Sequence, residues 1–219
     1  MVNQRARRDD DKEARRGVML DAAAALLASR QWSTFTVSDL AARTGLSKAT
    51  VFGYYATREA LLLALCVREL DGWFDAATAA LARGGRWSSR RVAQVIAEAF
   101  FGRVALLRLL AQLEGVLERN IPEAEARAYK LRLGVQMAAL GARVEQRLPW
   151  VREGGGVAVL LRARAVVSGL WQMADASPMI DRLLGEPELA GLRVAFEPEL
   201  VATLTALFAG MERQELPKG

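Results

Sequence analysis

The stretch from Thr36 to Glu59, TVSDLAARTGLSKATVFGYYATRE, constrains the fold of this chain more than any other. Thr36 can cap a short helix, with Asp39 three residues on as its partner in a capping box. Val37, Leu40 and Ala41 recur at helical spacing and give that helix one apolar face. Gly45 ends it, because the left-handed residue that closes a helix costs glycine little. Ser47 can cap a second helix through about Gly53, on which Val51 and Tyr55 lie four apart and turn inward. Lys48, Ala49, Thr50 and Gly53 are left facing out. A small, polar, basic outer face suits a helix lying in the major groove of DNA. Thr57 then caps a longer helix, with Glu59 in its positive first turn.

In order, spacing and chemistry this stretch closely resembles the DNA-binding domain of the tetracycline-repressor (TetR) family of bacterial transcription regulators. The family pattern is a threonine opening a small-residue helix, then Gly-Val-Ser-x-Gly-Thr-(Leu/Val)-Tyr-x-Tyr-Phe, then Lys-Glu and a leucine pair. Here it stands as Thr36, Leu40, Ala41, Gly45, Leu46, Ser47, Lys48, Ala49, Thr50, Val51, Phe52, Gly53, Tyr54, Tyr55, Arg58, Glu59, Leu61 and Leu62. Lys48 can reach a guanine edge or a phosphate, and Thr50 a base or a thymine methyl. The resemblance implies that Tyr54 hydrogen-bonds a phosphate and that Arg58, in the place of the family's lysine, holds one together with a helix N-terminus. Thr36, Ser38, Arg43, Ser47, Ala49, Phe52 and Gly53 complete the expected DNA face. Gly53 departs from the family by replacing a larger side chain. One base contact should be missing there, and glycine costs roughly 1 kcal/mol of helix propensity against alanine. Ala49 takes the place of a frequent glycine, without consequence.

The charge distribution agrees with a phosphate-binding head. The chain carries 30 basic and 25 acidic residues, a net charge of +5. Residues 1–58 account for +4 of this and the remainder for +1. With no histidine and one cysteine, Cys66, histidine-based triads and His/Cys zinc clusters are excluded, as is a disulfide within the chain. No enzymatic activity, metal or cofactor is therefore expected, and an enzyme with an appended helix-turn-helix is a remote alternative. The longest uncharged run, Leu200–Met211, is twelve residues, short of a membrane span. The N-terminal arginines have no apolar run behind them. A soluble, cytoplasmic, nucleoid-associated protein is expected, with no membrane partner.

Helical periodicity runs through the rest of the chain, and no strand alternation persists for six residues. Residues 1–10 are polar and of mixed charge and read as a disordered arm in which Arg5, Arg7 and Arg8 could touch DNA. Helices are expected over about 11–30, 57–83, 88–120 with a break near Gly102, 122–148, 157–174, 179–184 and from Pro198 onward. Gly141 is a weak spot, and Gly154-Gly155-Gly156 a flexible connection. The fold is therefore all-α, with about nine helices. A three-helix helix-turn-helix DNA-binding domain over 1–56 joins a larger helical bundle over 57–219.

The last two long helices are more apolar than a one-sided surface helix needs. The resemblance implies that they form a four-helix interface with a second copy, through Val159, Ala163, Val167, Leu170, Trp171, Val201, Leu204, Phe208 and Met211. It also implies a small-molecule effector held in the larger domain. Candidate lining residues are Trp73, Phe100, Phe101, Gln112, Glu114, Met137 and Trp171, polar or aromatic groups within apolar runs. A carboxylate such as Glu114 needs a partner, either a cationic ligand or Arg103 or Arg108. The expected function is a homodimeric repressor that binds a palindromic operator in double-stranded DNA and is released by its effector. An activator or effector-independent DNA-binding protein is the alternative.

Overall fold

The computed structural model describes residues 2–29 and 32–215, with the side chains of residues 2–9 and of Glu114 outside that description. The described residues form ten α-helices: α1 Val2–Ser29, α2 Val37–Thr44, α3 Lys48–Tyr54, α4 Arg58–Ala82, α5 Ser89–Glu98, α6 Val104–Gln112, α7 Glu123–Arg147, α8 Gly156–Ala174, α9 Pro178–Leu183 and α10 Phe196–Glu215. Tighter or wider turns interrupt them at Trp32–Thr34, Leu113–Leu117 and Ala190–Leu192. The all-helical expectation holds. The break near Gly102 lies between α5 and α6, where Gly102 has φ of 72°. Helix α1 starts at Val2, so the backbone expected as a loose arm continues the helix. The side chains of Arg5, Arg7 and Arg8 lie outside the described residues.

Two compact units result. The first comprises Met1–Glu69 with Val104–Ala126, and so is wider than the span 1–56. Its core is the buried face of α1 (Met19, Ala23, Leu26, Leu27) with Leu40, Val51, Leu61 and Leu65, joined by Leu106, Leu109 and Leu110 of α6. Arg108 of α6 donates to the Leu27 carbonyl at 2.5 Å, satisfying one of the open carbonyls at the end of α1. Arg68 reaches Asp21 at 2.7 Å and the Leu20 carbonyl at 3.3 Å. These pairings join residues far apart in the chain, which local periodicity cannot register.

The second unit comprises Leu70–Arg103 with Arg127–Gly219. Its core gathers Trp73, Leu81, Ile96, Leu140, Val144, Leu160 and Leu200. Ser89, the only buried polar residue among those described, donates to Glu212 at 2.7 Å and accepts from the Trp150 indole at 2.9 Å. Gly141 is not a weak spot. It is where α7 meets α8, with Gly156 so close that a side chain on either glycine would run into the backbone of the facing helix. Beside the crossing, Glu145 accepts the Gly156 N–H at 2.8 Å, a side-chain cap for the start of α8.

The expected dimer residues divide unevenly. Val159, Ala163, Val167, Leu204 and Phe208 are buried within the single chain and form its own core. Leu170, Trp171, Val201 and Met211 are half-buried. The most apolar stripe on a helix is the one a chain covers itself, so periodicity selected the inner face. The outer face of α8 carries Ala158, Leu161, Ala165, Gly169 and Met173, all exposed. By length and composition alone α8 could cross a membrane, yet it holds Arg162 and Arg164 at mid-helix and packs against α10.

Candidate nucleic-acid interface

Local hydrogen bonds build the helix-turn-helix. The Thr36 hydroxyl accepts the Asp39 N–H at 3.1 Å and donates to the Asp39 carboxylate at 2.7 Å. The carboxylate thus meets the capping hydroxyl, whereas a capping box sends it to the backbone N–H. Gly45 closes α2 with φ of 68°, and the Leu46 N–H returns to the Ala41 carbonyl at 3.1 Å. Ser47 caps α3 by accepting the Thr50 N–H at 3.0 Å, and its hydroxyl lies 2.8 Å from that of Thr50. Thr57 accepts the Ala60 N–H at 3.0 Å at the start of α4.

This scaffold turns one face of α3 outward. Ser47, Lys48, Ala49, Phe52 and Gly53 are exposed, Thr50 and Tyr54 half-buried, while Val51 is buried against the unit's core. Thr36, Ser38 and Arg43 are exposed on and beside α2. Lys48 begins a helix whose first turn has no acidic residue. A cation there is unfavourable to the helix dipole by a few tenths of a kcal/mol. Phe52, 46% exposed, is a large apolar group in water on the same face. Both are local costs of the kind proteins accept at binding surfaces. A Cβ on Gly53 would meet nothing within 4 Å, so the space left by the missing side chain is open.

Arg58 is placed differently from the expectation. Its guanidinium lies 5.0 Å over the Trp32 ring and 5.9 Å from that of Phe35, and donates to the Trp32 carbonyl at 3.1 Å. It is a latch inside the first unit. Trp32 and Phe35, in the connection before α2, form the seat for this cation. Arg58→Ala is therefore expected to cost about 1–3 kcal/mol in urea unfolding, from a lost charged hydrogen bond and cation–π stack. Lysine should not restore it, lacking the planar fork.

Tyr55, beside the recognition helix, is half-buried. Burial raises its phenol above the usual 10.0, against a smaller downward pull from Arg16. The folded state therefore keeps this proton to higher pH than the unfolded chain does. Its contribution is complete below pH 10 and is lost as pH rises through the raised value. Unfolding followed above pH 10 should show wild type losing more stability than Tyr55→Phe.

Residues 19–65 match the tetR family of bacterial regulatory proteins, and residues 67–215 match the tetracyclin repressor-like C-terminal domain. The chain belongs to the TetR family. The transcriptional regulator EthR of Mycolicibacterium smegmatis is 29% identical over 102 residues, 45% of this chain. That match spans 46% of the relative's own length. Among solved structures, the TetR-family regulator PfmR from Thermus thermophilus superposes with a TM-score of 0.55 at 17% identity, covering 89% of this chain and 97% of its own. A TetR-family regulator from Marinobacter aquaeolei gives 0.54 at 20% identity, with 93% and 97% covered. Likeness at this level of identity concerns the fold.

The residues proposed for an effector do not form one cluster. Trp73 stacks on Phe100 with ring centroids 4.7 Å apart and meets Phe74 edge-on at 4.8 Å. Met137 is buried in the same unit, and Trp171 lies edge-on to Phe196 at 5.0 Å. Phe101 instead lines an open groove of about 600 Å³ with Arg90, Gln94, Glu197 and Val201. Gln112, half-buried, belongs to the first unit, and the Glu114 side chain lies outside the described residues. Arg103, one proposed partner of Glu114, donates to the Ala99 and Gly72 carbonyls, both at 2.9 Å.

Proposed function

We propose that this TetR-family protein is a repressor that binds a palindromic operator as a homodimer and is released by a small molecule. The observation that carries the DNA reading is the outward face of α3: Lys48, Thr50, Phe52 and the open space at Gly53, set by two side-chain caps and a left-handed glycine. One such helix makes few base contacts, so two copies on a two-fold axis are needed for a specific site. The bare outer face of α8 supports the pairing, as Ala158, Leu161, Ala165, Gly169 and Met173 are all exposed on it. On α10 the outward positions Ala202 and Ala206 are small, which lets helices approach closely. For the effector, the support is two indole N–H groups, those of Trp73 and Trp171, buried without an acceptor. A buried donor left unpaired costs about 1–3 kcal/mol, and a ligand carrying an acceptor would relieve it.

The test is selection of bound sequences from random duplex DNA. A recovered palindrome with half-sites about one helical turn apart, or a multiple of it, supports the reading. Failure to hold any duplex in dilute salt defeats it. Light scattering should give twice the 23.9 kDa chain mass; the single mass at micromolar concentration would remove the homodimer.

A further inference from the structure

Among the described residues of the first unit, only two large apolar side chains stand exposed, Val18 on α1 and Phe52 on α3. Phe52 has no aromatic or cationic partner among the described residues. Nor does α3 need it as an anchor, because Val51 already fills the core beneath that helix. A phenyl ring held in water without such a role is a feature to be explained by what covers it.

Its place on the helix narrows the answer. At 3.6 residues per turn, Ala49 and Phe52 fall in the middle of the outward face, with Lys48 at one edge and Gly53 at the other. The middle of the face therefore carries no hydrogen-bonding side chain. Pressed against a base edge made only of donors and acceptors, it would strip them of water and return no hydrogen bond, which is unfavourable. The major groove offers one apolar group, the 5-methyl of thymine. Room for the approach is present, since a Cβ built on Gly53 would meet nothing within 4 Å. The ring has open space on that side in which to settle over a methyl group. Hydrogen bonding to neighbouring bases is left to Lys48 and Thr50 beside it.

We propose that Phe52 reads a thymine methyl, so that each half-site of the operator carries a thymine under the centre of α3. This rests on the DNA reading proposed above and adds to it the base that each copy requires. It also accounts for an apolar residue on a face that otherwise suits phosphate and base edges.

The test uses the operator recovered by selection, with each thymine in turn replaced by deoxyuridine, which removes the 5-methyl and keeps the base pair. Loss of one buried methyl-sized contact should weaken wild-type binding about fourfold per half-site, and roughly tenfold or more when both half-sites are replaced. Phe52→Ala should bind the thymine and uracil operators alike. Because Phe52 is exposed, this variant should keep the wild-type thermal midpoint, which is measured alongside. The uracil penalty should persist in Thr50→Ser, which removes the Thr50 methyl and so separates the two residues. A half-site without thymine, a uracil operator held as tightly as the thymine one, or an equal penalty in Phe52→Ala would each overturn the proposal while leaving the DNA reading standing. A wild-type protein that retains no duplex in dilute salt removes both.

Discussion

Replacing Gly156 with valine should lower the thermal midpoint by on the order of 10 °C. The Cβ it adds would lie 2.6 Å from the Gly141 carbonyl carbon and 2.7 Å from its Cα. These are backbone atoms where α7 meets the first residue of α8 and cannot rotate away, so α7 and α8 must separate. Overpacking of this kind costs about 1–3 kcal/mol and sometimes more. At roughly 2–4 °C per kcal/mol in a chain of this size, the upper end gives the stated shift. Gly141→Ala meets the same obstacle from the other side, 2.9 Å from the Val157 nitrogen. Gly134→Ala and Gly17→Ala provide the controls, since a Cβ at either position meets nothing within 4 Å. Both should be neutral or stabilising by up to about 1 kcal/mol. Equal midpoints for all four variants would show that the α7–α8 crossing is looser than described.

Alanine at Lys48 or at Thr50 should lower operator selectivity sharply while leaving general binding to DNA. Each good base contact contributes about 1–3 kcal/mol of discrimination, and the proposed two-fold dimer would lose it twice, about 2–6 kcal/mol in all. That range corresponds to roughly thirtyfold or more in the ratio of specific to non-specific affinity. The two variants should differ in salt dependence. Lys48→Ala lowers the slope of log affinity against log salt if the amine sits on a phosphate, whereas Thr50→Ala leaves it unchanged. The Thr50 hydroxyl lies 2.8 Å from that of Ser47, so Thr50→Ala also tests the cap. Thr50→Ser keeps the hydroxyl and removes only the methyl. Gel shifts on selected and scrambled duplexes, each at two salt concentrations, separate these effects. Unchanged affinity in both alanine variants would move the reading surface elsewhere.

Arg58 illustrates why some of the interface was legible in sequence and some was not. Its position in the pattern was readable, but its direction was not, because Trp32 lies 26 residues away. The burial of five expected dimer residues has a related reason. Periodicity reports that a helix has an apolar stripe, and for α8 and α10 it chose Val159, Ala163, Val167, Leu204 and Phe208, which the chain covers with itself. The weaker outer stripe of Ala158, Leu161 and Ala165 carries the exposed surface.

What the sequence determined by itself is local: the helical class, the caps at Thr36, Ser47 and Thr57, the left-handed turn at Gly45, and the outward face of α3. These features depend on hydrogen bonds and side-chain directions within four or five residues, where spacing along the chain equals position in space. Tertiary structure alone decided that α6 belongs with α1, that Arg58 is turned to Trp32, and that Gly141 lies against Gly156. Each of those depends on which distant segment arrives as a neighbour. That choice is made by the packing of whole helices, and no local spacing encodes it.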